Sequence, residues 1–343
     1  MTSPKQAVSS HSSAASTSSA TLQDGMVVQL DRGFPLVRLE NGEEVRCKHA
    51  TALVKGEKLR AVIGDHVRID QAPDADMAQI AEILPRQRSL VRRDPAERSQ
   101  AQTLAANFDT IIVAHPLAEL NLNRLERELV LACETGAAVV VALTKADLAS
   151  EDEVRKAMET VRNIAGNTAS VEVLSETDAA SIEALRAHVP AGSIAVLIGR
   201  SGVGKSSLVN MLAGAEVQAT TPVRETDGKG RHTTVNRAIV PIKGGGFVVD
   251  MPGVRGMGLW EAEEGLATAF SDITDLAQEC KFRDCKHLDE PGCAVRAAVE
   301  AGSLHPARLE SYLRLQKENA DQQLKTAEAE RIRARKGHPR RRS

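Results

Sequence analysis

Eight consecutive residues, Gly199, Arg200, Ser201, Gly202, Val203, Gly204, Lys205 and Ser206, constrain this chain more than any other stretch. They fit the pattern G-x-x-x-x-G-K-[ST]. The setting fits as well: the apolar run Ile194–Ile198 precedes them, and Ser207, Leu208, Val209 and Leu212 begin a helical stretch behind them. The glycines let the backbone curl so that successive N–H groups point at phosphate oxygens. The helix N-terminus adds partial positive charge. In such a loop Lys205 bridges the β- and γ-phosphates, the Ser206 hydroxyl binds Mg²⁺, and Ser207 lies beside it among the nucleotide contacts.

The chain around this loop reads as α/β. Apolar runs at 110–114, 138–143, 171–174, 194–198, 238–242 and 247–249 alternate with helical stretches, and Leu125, Leu129 and Ala132 recur at helical spacing between the first two. This pattern predicts a mostly parallel sheet with helices on both faces.

A phosphate loop does not choose between ATP and GTP, but Thr144, Lys145, Ala146 and Asp147 do so. They follow the apolar residues 139–143, where a carboxylate can accept from guanine N1–H and N2–H₂, which adenine cannot match. The Lys145 stem can pack on the base. Ser175 and Glu176, after the next strand, form a further base-side loop. These base loops precede the phosphate loop, the reverse of the usual order. A circular permutation explains this and leaves the site intact, because ligand loops gather at the carboxyl ends of the strands in whatever order the chain visits them.

Two further loops have the composition of switches. In the glycine-bearing loop 227–234, Thr234, with Thr233 as the reserve, is placed to bind Mg²⁺ and the γ-phosphate. After Phe247, Val248 and Val249, Asp250 is placed to hold Mg²⁺ through water and Gly253 to sense the γ-phosphate. Val254 stands where many GTPases carry a water-orienting glutamine, and His232 is the nearest substitute. The catalytic set is therefore His232, Lys205 and Thr234. The mechanism is in-line attack of water on the γ-phosphate.

The flanks have a different composition. At 343 residues the chain calls for more than one core. Residues 1–23 are rich in Ser and Ala, with Lys5 their only Lys or Arg, and lack an export core. We expect a disordered tail and a cytoplasmic protein with reduced thiols. Short strands separated by turn signals fill 24–90, among them Met26, Val28 and Leu30, then Val67 and Ile69, then Ile80 and Ile83. A small closed barrel is predicted, an OB-type barrel being one candidate. Arg86, Arg88, Arg92, Arg93 and Arg98 follow as either a solvated linker or a phosphate-contacting edge.

Cys280, Cys285, His287 and Cys293 place four ligand-capable side chains within a short span, the set expected of one closed, tetrahedral, structural Zn²⁺ site. Cys47 and Cys133 read as core residues, and His49, His66, His115 and His188 as structural or exposed. Residues 331–343 carry seven Lys or Arg and no acid, suited either to RNA phosphates or to a solvated tail. Aromatic residues are only 2% of the chain, which argues against a base-stacking surface. No apolar run approaches the roughly 18 residues of a membrane span.

Together these pieces resemble one family, the ribosome small subunit-dependent GTPase A proteins. The resemblance covers about Met26 to Leu315. It rests on T-K-A-D, G-R-S-G-V-G-K-S, G-K-G-R-H-T-T and D-M-P-G-V-R in that order, followed by C-K-F-R-D-C-K-H-L-D-E-P-G-C-A-V. It implies a multidomain chain: an OB-type β-barrel at 24–90, a circularly permuted α/β P-loop GTPase domain at 91–275, and a C-terminal zinc-binding helical domain at 276–330, followed by a basic tail. It also implies a GTPase that binds GTP and GDP, docks on the 30S ribosomal subunit and its 16S rRNA in late assembly, is stimulated by that subunit, and works as a monomer. Thr144 departs from the asparagine usual in the base motif and forfeits an amide that braces neighbouring loops. Two other readings remain open from the sequence: another P-loop NTPase, and an RNA-binding module regulated by nucleotide.

Overall fold

Alternation of inward and outward side chains, broken by register shifts at Val27/Gln29 and Arg68/Ile69, builds a barrel from β1 (Gln23–Asp31), β2 (Phe34–Leu39), β3 (Glu44–His49), β4 (His66–Asp70) and β5 (Ala78–Ile83). Val27, Val37, Cys47, Val67, Ile69 and Ile80 fill its interior and are fully buried. β1 pairs with both β2 and β4, β2 with β3, β3 in parallel with β5, and β5 with β4. The ring β1-β2-β3-β5-β4 is thereby closed, as the OB-type expectation requires. This is a computed structural model, and it describes residues 22–31, 34–57, 59–71, 77–93, 101–217, 237–251 and 262–336. Residues 1–21 and 337–343, most of the two expected tails, lie outside the described residues; Gln23 already belongs to β1.

The arginine-rich joint is neither a bare linker nor, at its first two arginines, a free edge. β6 (Ser89–Arg93) and β7 (Ala101–Ala106) form an antiparallel hairpin across it. Arg86 grips the fully buried Asp65 through Nε and Nη2, at 2.7 and 2.8 Å. Arg88 donates from Nε to the Gly136 carbonyl at 3.2 Å. One arginine thus ties the hairpin region to the barrel and the other ties it to the next domain. Of the Arg92 and Arg93 side chains nothing is described, and Arg98 lies outside the described residues.

The second unit alternates β8 (Thr110–Pro116), α1 (Leu122–Glu134), β9 (Ala138–Thr144), α2 (Glu151–Ala165), β10 (Ser170–Val173), α3 (Ala179–Ala187), β11 (Ile194–Ile198), α4 (Lys205–Ala213), β12 (Arg237–Pro241) and β13 (Phe247–Asp250). Strand order is β10-β9-β8-β11-β13-β12, parallel except for β12. Because strand side chains alternate faces, Ile111, Val113, Val141 and Val196 meet α1 and α2, while Ile112, Val140 and Leu197 meet α3 and α4. Helix starts are set by local chemistry. Ser150 and Glu153 form a reciprocal capping box on α2, and Asn121 and Asp178 cap α1 and α3. β1 also pairs with β12, at Gln29 with Ala238, which joins barrel and sheet.

The chain ends in α5 (Glu263–Ala269), α6 (Ser271–Ala277), α7 (Ala294–Glu300) and the long α8 (Pro306–Lys336). α5 lies tightly on α1: a Cβ at Gly265 would stand 2.2 Å from the Val130 carbonyl oxygen, so only glycine fits there. α8 is tied back to α1 by Ser311 to Glu126 at 2.6 Å, by Arg314 to the same carboxylate, and by Arg127 to Glu318 at 2.9 Å. Arg308 stacks on Phe270 and pairs with Asp272. Among the described residues, no helix is long and apolar enough to cross a membrane.

Candidate functional site

Parallel strands bring their carboxyl ends to one edge, and the sequence motifs meet there. Thr144 ends β9, Ser175 follows β10, Gly199 to Ser206 follow β11, and Asp250 ends β13. The phosphate loop has the backbone its glycines predict: φ is 151° at Gly199, 86° at Gly202 and 94° at Gly204. A Cβ at Gly199 would meet the Ala114 carbonyl oxygen at 2.6 Å, so the loop lies directly on the end of β8. Gly204 is the N-cap of α4 and brings no side-chain acceptor, which leaves the first-turn N–H groups available to an anion.

Lys205 is buried, and its Nζ donates to the carbonyls of Gly199 and Arg200, each at 3.0 Å. Burial pushes its pKa down, Asp250 pulls it up, Arg124 pushes it down and Glu128 pulls it up. Val203 is buried, Ser206 and Ser207 are half-buried, and Ser201 and Gly202 are exposed at the rim. Arg200 reaches outward to Glu119 at 3.3 Å.

The base loop is fastened to the phosphate loop at two points. Thr144 Oγ1 lies 2.8 Å from the Val203 carbonyl oxygen and 3.3 Å from that of His115. The left-handed Lys145, at φ 60°, donates from Nζ to the Gly202 carbonyl at 3.1 Å. This revises the expectation for Thr144: the threonine hydroxyl makes a brace of its own, because its short arm starts close enough to the loop carbonyls. Ala146 N–H bonds the Leu174 carbonyl at 3.1 Å and so joins the two base-side loops. Asp147 stands exposed at the edge, in the short turn that follows β9. Ser175 Oγ is hydrogen-bonded with Thr177 at 2.8 Å. His232, Thr233, Thr234, Gly253 and Val254 lie outside the described residues.

One group at this edge was not anticipated as a unit. His115 Nε2 lies 2.7 Å from Glu128 Oε2, and Arg124 Nε lies 2.7 Å from Glu128 Oε1, with His115 and Glu128 both buried. The sequence marks the carboxylate but not its partner: Glu128 interrupts the apolar stripe of Leu125, Leu129 and Ala132. Among the described residues, three other histidines outside the metal cluster serve structure or face solvent. His49 Nε2 accepts from Ala61 N–H, His188 pairs with Glu172 and His66 is exposed. Cys47 and Cys133 are buried, and burial pushes each thiol up to about 11.

In the C-terminal unit the ligand atoms of Cys280, Cys285, His287 and Cys293 all lie within 4.8 Å of one another. Cys280 and Cys293 sulfurs are 3.9 Å apart, and His287 Nδ1 is 3.7 and 3.4 Å from them. These are edges of the size a tetrahedron needs with metal–sulfur bonds of about 2.3 Å. The donor set of three thiols and an imidazole therefore fits a metal ion.

Comparison with known proteins agrees with this geometry. The family model described as RsgA GTPase matches residues 83–260. The chain is 42% identical over 300 residues to the small ribosomal subunit biogenesis GTPase RsgA of Streptomyces avermitilis, covering 86% of this chain and 79% of that protein. To the protein of the same name from Streptomyces coelicolor it is 41% identical over 324 residues, covering 93% and 87%. Among solved structures it resembles YjeQ from Thermotoga maritima, with a TM-score of 0.67 and 29% identity over 87% of this chain and 98% of that one. The fold also resembles that of YloQ, described as a circularly permuted GTPase, with a TM-score of 0.65 and 24% identity over 88% and 96%.

Proposed function

Because this chain belongs to the RsgA GTPase family, we propose that it hydrolyses GTP to GDP and phosphate while docked on the small ribosomal subunit, and that it assists that subunit's assembly. The observation that carries this reading is the brace between the base and phosphate loops, Thr144 Oγ1 to the Val203 carbonyl at 2.8 Å, which makes one nucleotide site of two motifs far apart in sequence. Asp147 selects guanine. Lys145, Ala146 and Ser175 line the base side. Residues 199–207 cradle the phosphates, with Lys205 moving from the Gly199 and Arg200 carbonyls to the phosphate oxygens.

Ser206, Thr234 and Asp250 are the residues that would hold Mg²⁺, which when bound neutralises charge on the phosphates. Water forms a bond to the γ-phosphorus as the bond from that phosphorus to the β–γ bridging oxygen breaks. GDP leaves with the bridging oxygen, and His232 orients the water and handles its proton. Gly253 senses the γ-phosphate, with Thr233 as the reserve for Thr234. Cys280, Cys285, His287 and Cys293 hold one structural Zn²⁺. The working units are the barrel at 24–90, the GTPase domain at 91–275 and the zinc-binding domain at 276–330. The partner contact includes 16S rRNA, the basic end supplies phosphate contacts, and the protein acts in the cytoplasm as a monomer.

Co-sedimentation with purified small subunits tests the switch. Binding should be tighter with a non-hydrolysable GTP analogue than with GDP, and equal binding would count against it. Replacing His232 with Ala should leave GTP binding intact and abolish stimulated turnover; normal stimulated turnover removes His232 from the reaction.

A further inference from the structure

The His115–Glu128–Arg124 group sets a buried histidine and a buried carboxylate into an otherwise apolar face of α1. Leu125, Leu129 and Ala132 make the surrounding face of α1 apolar and buried. A well-packed apolar pair in place of a buried ion pair is often neutral or stabilising. The group stands where three parts of the nucleotide site converge. His115 is the residue after Ala114, whose carbonyl supports Gly199. Its own carbonyl lies 3.3 Å from Thr144 Oγ1, the hydroxyl that braces Val203.

We infer that Glu128 is a positioning residue for the nucleotide site: from α1 it fixes His115 at one oxygen and Arg124 at the other, and so holds the end of β8 on which the phosphate loop and the base loop both rest. The hydrogen-bond geometry sets the role. Glu128 has the reach to satisfy both neighbours at 2.7 Å. Its carboxylate and the Arg124 guanidinium also act on the charge of Lys205, with opposite signs, so the group borders the phosphate site electrostatically. Loosening the end of β8 therefore disturbs contacts common to GTP and GDP.

This inference rests on the nucleotide-site reading above, and equilibrium binding of fluorescent mant-GDP to the full chain separates the two. Wild-type protein that binds no mant-GDP would sink the reading itself. Given wild-type binding, Glu128→Leu should raise Kd by about tenfold or more and, because it strands the buried His115, should also lower the melting temperature. Glu128→Asp keeps the charge but loses a methylene of reach, and should weaken binding by several-fold. Glu128→Gln can accept from Arg124 and donate to the other tautomer of His115, and should recover affinity to within about twofold of wild type. Wild-type affinity in the Leu variant overturns the inference, as does a Gln variant as weak as the Asp variant. If Glu128→Leu does not fold, the order of the Gln and Asp variants decides.

Discussion

Thr144 Oγ1 lies 2.8 Å from the carbonyl oxygen of Val203, so the last residue of β9 holds the phosphate loop that follows β11. The two residues are 59 positions apart in sequence. On the proposed reading, base recognition and phosphate recognition share one edge through this bond. Thr144→Ala should raise Kd for both GTP and GDP by about three- to tenfold, the worth of one such hydrogen bond. Thr144→Asn should bind at least as tightly as wild type. Titration calorimetry of the three proteins checks this.

On the proposed reading, Asp147 sets the choice of base. Asp147→Asn should lower GTP affinity by about a hundredfold or more and raise preference for xanthosine triphosphate, whose ring presents the complementary oxygen. Competition between the two nucleotides reads the exchange, and unchanged GTP selectivity would remove Asp147 from the base site.

Much of this site was legible in the sequence because its parts are local. A glycine-rich loop between an apolar run and a helix dictates its own backbone, and Gly199, Gly202 and Gly204 adopt it. The candidate metal ligands all fall between Cys280 and Cys293, and their atoms converge. What was not legible depends on distant contacts. Nothing near Glu128 in sequence announces that it meets His115, because the pairing exists only once α1 lies on β8. Arg86 reads like its neighbouring arginines until the barrel buries Asp65 beneath it. The hairpin β6–β7 was hidden because Ala101, Ala105 and Ala106 carry little strand signal. The threonine brace depends on how closely β9 approaches the loop, which is a matter of sheet geometry rather than residue type.

Arg86 and Asp65 hold the barrel to the rest of the chain. Removing the guanidinium leaves a fully buried carboxylate with only the Val62 N–H, so Arg86→Ala should cost about 3 kcal/mol or more. Urea unfolding followed by far-UV circular dichroism measures it, and a loss below about 1 kcal/mol would mean water reaches Asp65.

The burial that pushes the Lys205 pKa down has a pH signature. With its pKa lowered, the charged form is lost at a lower pH than in a free lysine, so the proposed phosphate contact would weaken as pH rises through the alkaline range and be full below it. Mant-GDP affinity should fall with rising pH in wild type and stay flatter in Lys205→Arg, whose guanidinium keeps its charge. Identical profiles would place the titration elsewhere.

Cys280, Cys285, His287 and Cys293 should bind about one zinc ion per chain by metal analysis. Cys293→Ser should lower metal content and, because Cys293 also caps α7, reduce the melting temperature by on the order of 10 °C. Full stability after exhaustive chelation would argue that the cluster needs no ion.

Steady-state GTP hydrolysis with and without purified small ribosomal subunits, at low and high salt, tests the central claim most directly. The account predicts slow turnover by the chain alone and at least about a tenfold increase with subunits, diminished at high salt as phosphate contacts are screened. Turnover unchanged by subunits at either salt concentration would contradict it.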